Sequence, residues 1–172
     1  GFTILDGTGI VGLRPHLNPD GIGSVTLLDT SGTANATLRY SDNDSMDSAG
    51  PGIHWSLKSI TVQSGSDGNA RFEYNKTSAE PGVGSVTDFI VLGKNLTFAP
   101  SDDETMILTG EISGQAGMIF QSANVGANDE KYIFNGTGNN SYEGETLVND
   151  RVAVELLKSG GNAIGGDLTI SG

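Results

Sequence analysis

Three segments decide the fold: residues 107–120, ILTGEISGQAGMIF; residues 135–149, NGTGNNSYEGETLVN; and residues 152–170, VAVELLKSGGNAIGGDLTI. In each, apolar residues alternate with polar ones over stretches no longer than a strand, and Gly, Asn and Ser fill the gaps. Alternation of period two marks a half-buried strand, because successive side chains point to opposite faces. Gly and Asn between such runs mark tight turns. The region therefore reads as a succession of short strands joined by short turns.

Working outward, the same grammar holds across the chain. Candidate strands are 2–5, 10–13, 24–29, 36–40, 57–63, 70–75, 85–92, 96–99, 105–109, 118–121, 131–134, 145–149, 152–156 and 167–171. The pair 57–63 and 70–75 reads either as a hairpin or as two successive rungs of a coil. Polar excursions separate the earlier strands, as at 14–23, 41–52 and 76–84. No helical period exceeds two turns, and helix formers are nowhere grouped. The chain is expected to be all-β.

Composition narrows the class. The 172 residues include 26 glycines, no cysteine and only 6% aromatics, with 35% hydrophobic residues. That is lean for a compact two-layer domain, yet too apolar for disorder. Lys and Arg number 9 against 21 Asp and Glu, a net charge of −12 with a pI near 4.3. Neutralising phosphates needs a basic face, so this balance argues against nucleic acid and anionic membrane surfaces as partners. The lack of cysteine removes disulfides and thiol catalysis together. No apolar run is long enough for a transmembrane helix, and nothing at the start resembles a signal peptide.

Many short, evenly separated strands suit a sandwich or jelly roll, a barrel or a solenoid. Three features favour the solenoid. Inward positions are mostly Ile, Leu, Val and Phe, as stacked rungs require. Asn recurs at turns (Asn95, Asn124, Asn135, Asn139, Asn140, Asn149, Asn162), where left-handed geometry and side-chain ladders are useful. The excursions vary in length while the strands do not, as when insertions leave one face of a coil. A parallel β-helix is expected over 1–172 as a single domain. Its first part, 1–100, is more divergent and loop-rich, and 107–172 is repeat-like; a β-sandwich or jelly roll is the alternative.

Residues 107–172 also resemble the autotransporter-associated β-strand repeat of large bacterial surface passengers. LTGEISGQAG (108–117) matches the family's first element. GTGNNSYEGETLVNDRVAVELLKSGG (136–161) matches the second, with Asn140, Tyr142, Gly144, Thr146, Val148 and Asn149 at the patterned positions, and NAIGGDLTI (162–170) matches the returning strand. Glu143, Glu145 and Asp150 depart from the pattern, and the segment before 134 is looser than usual. The resemblance implies a right-handed parallel β-helix, exported to the bacterial cell surface, with an adhesive or structural role. In such a coil Tyr142 is expected to lie on the next rung with its hydroxyl in solvent, and Gly144 to bend where a Cβ would clash.

Candidate sites are few. Parallel β-helices also carry polysaccharide lyases and hydrolases, so the carboxylates of 102–104 are the candidate acid–base pair. Consecutive side chains on an extended segment diverge, and neither His16 nor His54 sits in a hydrolase motif, so no catalytic residue is assigned. His54 and Trp55 are the candidate glycan-stacking pair, with capping of the hydrophobic core the competing role for Trp55. Asp42, Asn43, Asp44 and Asp47 offer hard oxygen ligands for Ca2+ in one acidic loop, without the glycine and terminal Glu of an EF-hand. Asn-x-Ser/Thr sequons fall at Asn35, Asn43, Asn75, Asn95, Asn135 and Asn139. The expectation is a non-catalytic extracellular structural or adhesive solenoid, either part of a longer passenger or stacking end to end into a filament. Its partners would be other copies of itself or host and matrix glycans. The alternative is a carbohydrate-binding or polysaccharide-degrading β-helix.

Overall fold

The computed structural model describes residues 2–5, 7–13, 23–27, 35–42, 54–64, 68–75, 82–100, 104–122 and 130–171. Within them run fifteen strands and no helix. The first six are β1 (Phe2–Ile4), β2 (Gly7–Leu13), β3 (Val25–Leu27), β4 (Ala36–Asp42), β5 (His54–Val62) and β6 (Ala70–Asn75). Then come β7 (Gly82–Leu92), β8 (Leu96–Phe98), β9 (Glu104–Leu108), β10 (Glu111–Gly114) and β11 (Met118–Phe120). The last four are β12 (Glu130–Phe134), β13 (Thr146–Val148), β14 (Val152–Leu156) and β15 (Leu168–Ile170).

Every pairing is parallel, and strands alternate between two sheets as the chain advances. One sheet has the order β1-β3-β5-β7-β9-β12-β14, and the other β2-β4-β6-β8-β11-β13-β15. Each pass of the chain thus lays one strand on each sheet directly above the previous pass, which is a β-solenoid. A sandwich or jelly roll needs antiparallel neighbours, and none occurs among the described residues. Strands 57–63 and 70–75 form neither a hairpin nor neighbouring rungs, because β5 and β6 lie on different sheets of one coil. The coil continues through the divergent first part of the chain, and β12 is paired on both sides despite the loose sequence before it.

One strand was not apparent from the alternation. β10 pairs with the second half of β7 (Ile112↔Ile90), while β9 pairs with its first half (Met106↔Gly84). The long β7 is therefore followed, one coil later, by two strands with a corner between them at Gly110. EISG is too short and too polar to announce itself as a strand.

In-register stacking turns each inward position into a column. One column of the second sheet reads Leu38, Phe72, Phe98, Phe120, Val148 and Ile170. All but Ile170 are buried. Phe98 and Phe120 stack with centroids 5.3 Å apart, and Tyr132 and Phe134 reach across from the first sheet to Phe120 at 4.4 and 5.7 Å. Such contacts add to the burial energy of the rings. Outward positions carry ion pairs: Glu73 on β6 meets Arg39 of the neighbouring coil at 2.6 Å and Arg71 of its own strand at 2.5 Å. Partial burial works against ionisation of Glu73, but hydrogen bonds and charge from the two guanidiniums prevail and hold its pKa below the usual carboxylate range.

Candidate functional site

The distinctive chemistry lies at the corners, where backbone passes close over backbone. A Cβ on Gly117 would sit 1.9 Å from the Glu145 carbonyl oxygen, and one on Gly144 would sit 2.3 Å from the Gly117 nitrogen. The expected role of Gly144 is thus met, and the reason is the neighbouring coil's main chain.

Asparagine side chains tie the coils together beside these glycines. Asn69 donates its backbone N–H and its Nδ2 to Asn35 Oδ1 at 2.8 and 3.1 Å, and Gly117 donates its N–H to Asn95 Oδ1 at 2.8 Å. On another corner Asn162 donates its N–H to Asn139 Oδ1 at 2.8 Å. The asparagines were expected to exploit left-handed backbone as well. Among the described residues the one non-glycine with positive φ is Arg151, at 63°, so Asn serves here as a ladder residue.

Asn140 is the most deeply built of them, at 1% exposure. Its Oδ1 accepts the Ile112 N–H at 3.0 Å from the coil before, and its Nδ2 donates to the Ala163 carbonyl at 2.6 Å in the coil after. One side chain thus clamps three coils. Replacing it by Ala strands a buried N–H and a part-buried C=O, each worth on the order of 1–3 kcal/mol when unmade, although water entering the gap recovers part. Asn140→Ala is expected to lose about 2 kcal/mol in urea unfolding. A loss below roughly 0.5 kcal/mol would show that the clamp carries no weight.

Tyr142 corrects an expectation. Its hydroxyl does not reach solvent: the residue is 1% exposed, and the OH is hydrogen-bonded to the Oγ1 of fully buried Thr146. The tight coil leaves no outward path for the ring, so the phenol is satisfied inside. Burial raises its pKa against the opposing hydrogen bonds from Thr146 and the Gly165 backbone.

Two acidic residues also lie inside. Glu104 at the start of β9 and Glu130 at the start of β12 are 3% and 0% exposed, and Ser122 donates to Glu130 Oε1 at 2.7 Å. Burial, and then the charge of Glu130, push the Tyr132 phenol well above its ordinary pKa, with Arg71 opposing. The strand expected at 131–134 begins one residue earlier, at Glu130, which by parity shares a face with Tyr132 and Phe134, but a carboxylate at such a position is read as surface by default.

Asp42 is the last residue of β4, on the second sheet, whereas His54 and Trp55 open β5 on the first, registered with Val83 and Gly84. Asn43, Asp44 and Asp47 lie outside the described residues, as do Asp102 and Asp103. Among the described residues no three His, Asp or Glu side chains are placed to hold a metal. A shallow groove of roughly 280 Å3 runs along one corner, lined by Gly68, Asn69, Gly93, Lys94, Asn95 and Ala116.

Fold and corners together define the class: a parallel β-solenoid with asparagine- and glycine-built corners. Comparison with protein-family models, with curated proteins and with solved structures returns no match to this chain. No helix among the described residues is long and apolar enough to cross a membrane.

Proposed function

We propose that the chain is a non-catalytic structural or adhesive segment of an extracellular bacterial surface protein, a rod whose length and surface are its product. The observation that carries this reading is the uninterrupted stack of parallel strands. Strand follows strand from β1 to β14 in one sheet and from β2 to β15 in the other, and the inward apolar residues from Ile4 to Val148 form one buried cluster. The described outer face is mixed: apolar pairs such as Ile107–Ile133 and Ile119–Leu147 stack between coils, while Lys131 and Glu155 pair across coils at 2.6 Å as Arg39 and Glu73 do. The resemblance of 107–172 to autotransporter-associated repeats supplies the location. At the β15 end Leu156, Leu168 and Ile170 continue inward columns yet are 47%, 44% and 73% exposed. A further parallel coil, from a longer passenger or another copy, would cover them and pair the open strand edges.

Solution scattering over a concentration series tests the reading. A rod of constant cross-section is expected, either of fixed length for a passenger segment or lengthening with concentration for end-to-end stacking. A compact, isotropic particle would refute both.

A further inference from the structure

Six asparagines begin Asn-x-Ser/Thr sequons, and in a chain this rich in Asn, Ser and Thr several arise by chance. Four of the six share one geometry in the structure. Asn35, Asn95, Asn135 and Asn139 are all exposed. In each, Oδ1 is occupied by a backbone N–H: that of Asn69, Gly117, Gly136 and Asn162 respectively, at 2.7–2.8 Å. In none does Nδ2 make a hydrogen bond among the described residues. Pinning the oxygen fixes the plane of the amide and leaves the nitrogen as its unengaged end. The hydroxyl residues two positions on are also accessible: Thr37 and Thr97 are part-exposed, while Thr137 and Ser141 are exposed. Two asparagines outside sequons differ in the feature that matters. Asn69 spends its Nδ2 on Asn35, and Asn140 spends its own on the Ala163 carbonyl.

We propose that Asn35, Asn95, Asn135 and Asn139 are attachment sites for N-linked sugar. The donor is a glycosyl diphosphate, nucleotide- or lipid-linked, acted on by a separate transferase. Nδ2 attacks the anomeric carbon and a C–N bond replaces the anomeric C–O bond. The diphosphate departs with that electron pair, and one of the two Nδ2 protons passes to a base on the transferase. The product amide keeps its Oδ1 and one N–H, so the corner bond that Oδ1 accepts survives. A sugar at Asn140 would break its bond to Ala163, and there is no room for one at 1% exposure. Asn35 and Asn95 flank Asn69 in one corner column, two strand spacings or about 10 Å apart. Their sugars would stand side by side along the rod, adding a hydrated rim that the acidic surface tolerates. This inference is independent of the surface-segment reading, since it rests on amide geometry alone.

The test incubates the folded chain with a soluble sequon-reading N-glycosyltransferase and UDP-glucose. In parallel, the chain is passed through microsomes carrying lipid-linked oligosaccharide. Occupancy is mapped by peptide mass spectrometry, and a sequon peptide confirms that each enzyme is active. Sugar is expected on Asn35, Asn95, Asn135 and Asn139 from at least one donor, and the productive arm identifies its source. Each Asn→Gln variant should remove one sugar, and the modified chain should melt with the unmodified one. The proposal is overturned if the folded chain takes no sugar at these positions, whether or not urea-unfolded chain does. It is equally overturned if attachment lowers the melting temperature, because Oδ1 would then have lost its corner bond.

Discussion

Phe120→Ala should cost about 3–5 kcal/mol, the range for truncating a fully buried aromatic side chain when the cavity cannot collapse. Phe120 is 0% exposed and lies between Phe98 and Val148 in its column, with Tyr132 4.4 Å away and Phe134 meeting it edge-on. Collapse is hindered because parallel ladders on both sides fix the strand spacing near 4.8 Å whatever the side chains do. A solenoid transmits such damage mainly to its neighbours, since each coil touches only the coils above and below. Against a typical total stability of roughly 5–15 kcal/mol, the loss should be visible in bulk and concentrated in place. Urea unfolding gives the magnitude. Hydrogen exchange should show protection falling first in β8, β11, β12 and β13, with β4 little changed. A cost under about 1 kcal/mol would mean that the aromatic column is loosely packed and the core is carried elsewhere.

The sequence discloses this column more readily than it discloses the corners. LTF has apolar ends about a polar centre, and alternation alone orients it, whereas MIF is apolar throughout and TLV opens on Thr, so these two take their orientation from their place in the stack. Strands β6 and β14 keep the expected bounds, and most others differ by a residue or two at an end, where a pattern says least. What alternation cannot supply is the partner. Nothing in ITVQ or ARFEYN states that their neighbours lie a full coil away, because pairing distance is set by loops of varied length. Buried polar residues were hidden for a related reason. Glu104, Glu130 and Thr146 occupy inward positions by parity, yet their chemistry argues for solvent. Asn140 and Tyr142 were visible only as places in a repeat pattern; their roles as three-coil clamp and internal phenol come from contacts to residues more than twenty positions away or held inside a turn. The acidic stretch 42–47 and the His54–Trp55 pair stand out by composition alone, which names residues without orienting them.

Gly144→Ala should be among the most damaging single methyls in the chain's second half, at about 3 kcal/mol or more. An added Cβ would meet the Gly117 nitrogen at 2.3 Å and the Ala116 carbonyl carbon at 2.4 Å. Both are main-chain atoms, and rotamer changes cannot move them. Nor can the coils part cheaply, because the Gly144 N–H donates to the Ala116 carbonyl and the Met118 N–H donates to the Glu145 carbonyl at 3.0 Å across the same gap. Overpacking costs about 1–3 kcal/mol where side chains can shift, and here the loss of corner hydrogen bonds adds to it. Gly7→Ala is the control that isolates sterics from backbone freedom. Its φ is +77°, but a Cβ there meets nothing within 4 Å, so only the left-handed penalty of roughly 1–2 kcal/mol applies. Gly117→Ala should resemble Gly144→Ala, since its Cβ would strike the Glu145 carbonyl from the opposite side. If both clashes open one gap, the double variant should cost well under the sum of the two singles, the coupling expected of sites that share a backbone shift. Urea titration of the three single variants and the double measures all of these at once. Full additivity would mean that the two glycines relieve separate contacts, and a Gly144→Ala cost no larger than that of Gly7→Ala would mean that the coils are not held at the spacing these corners require.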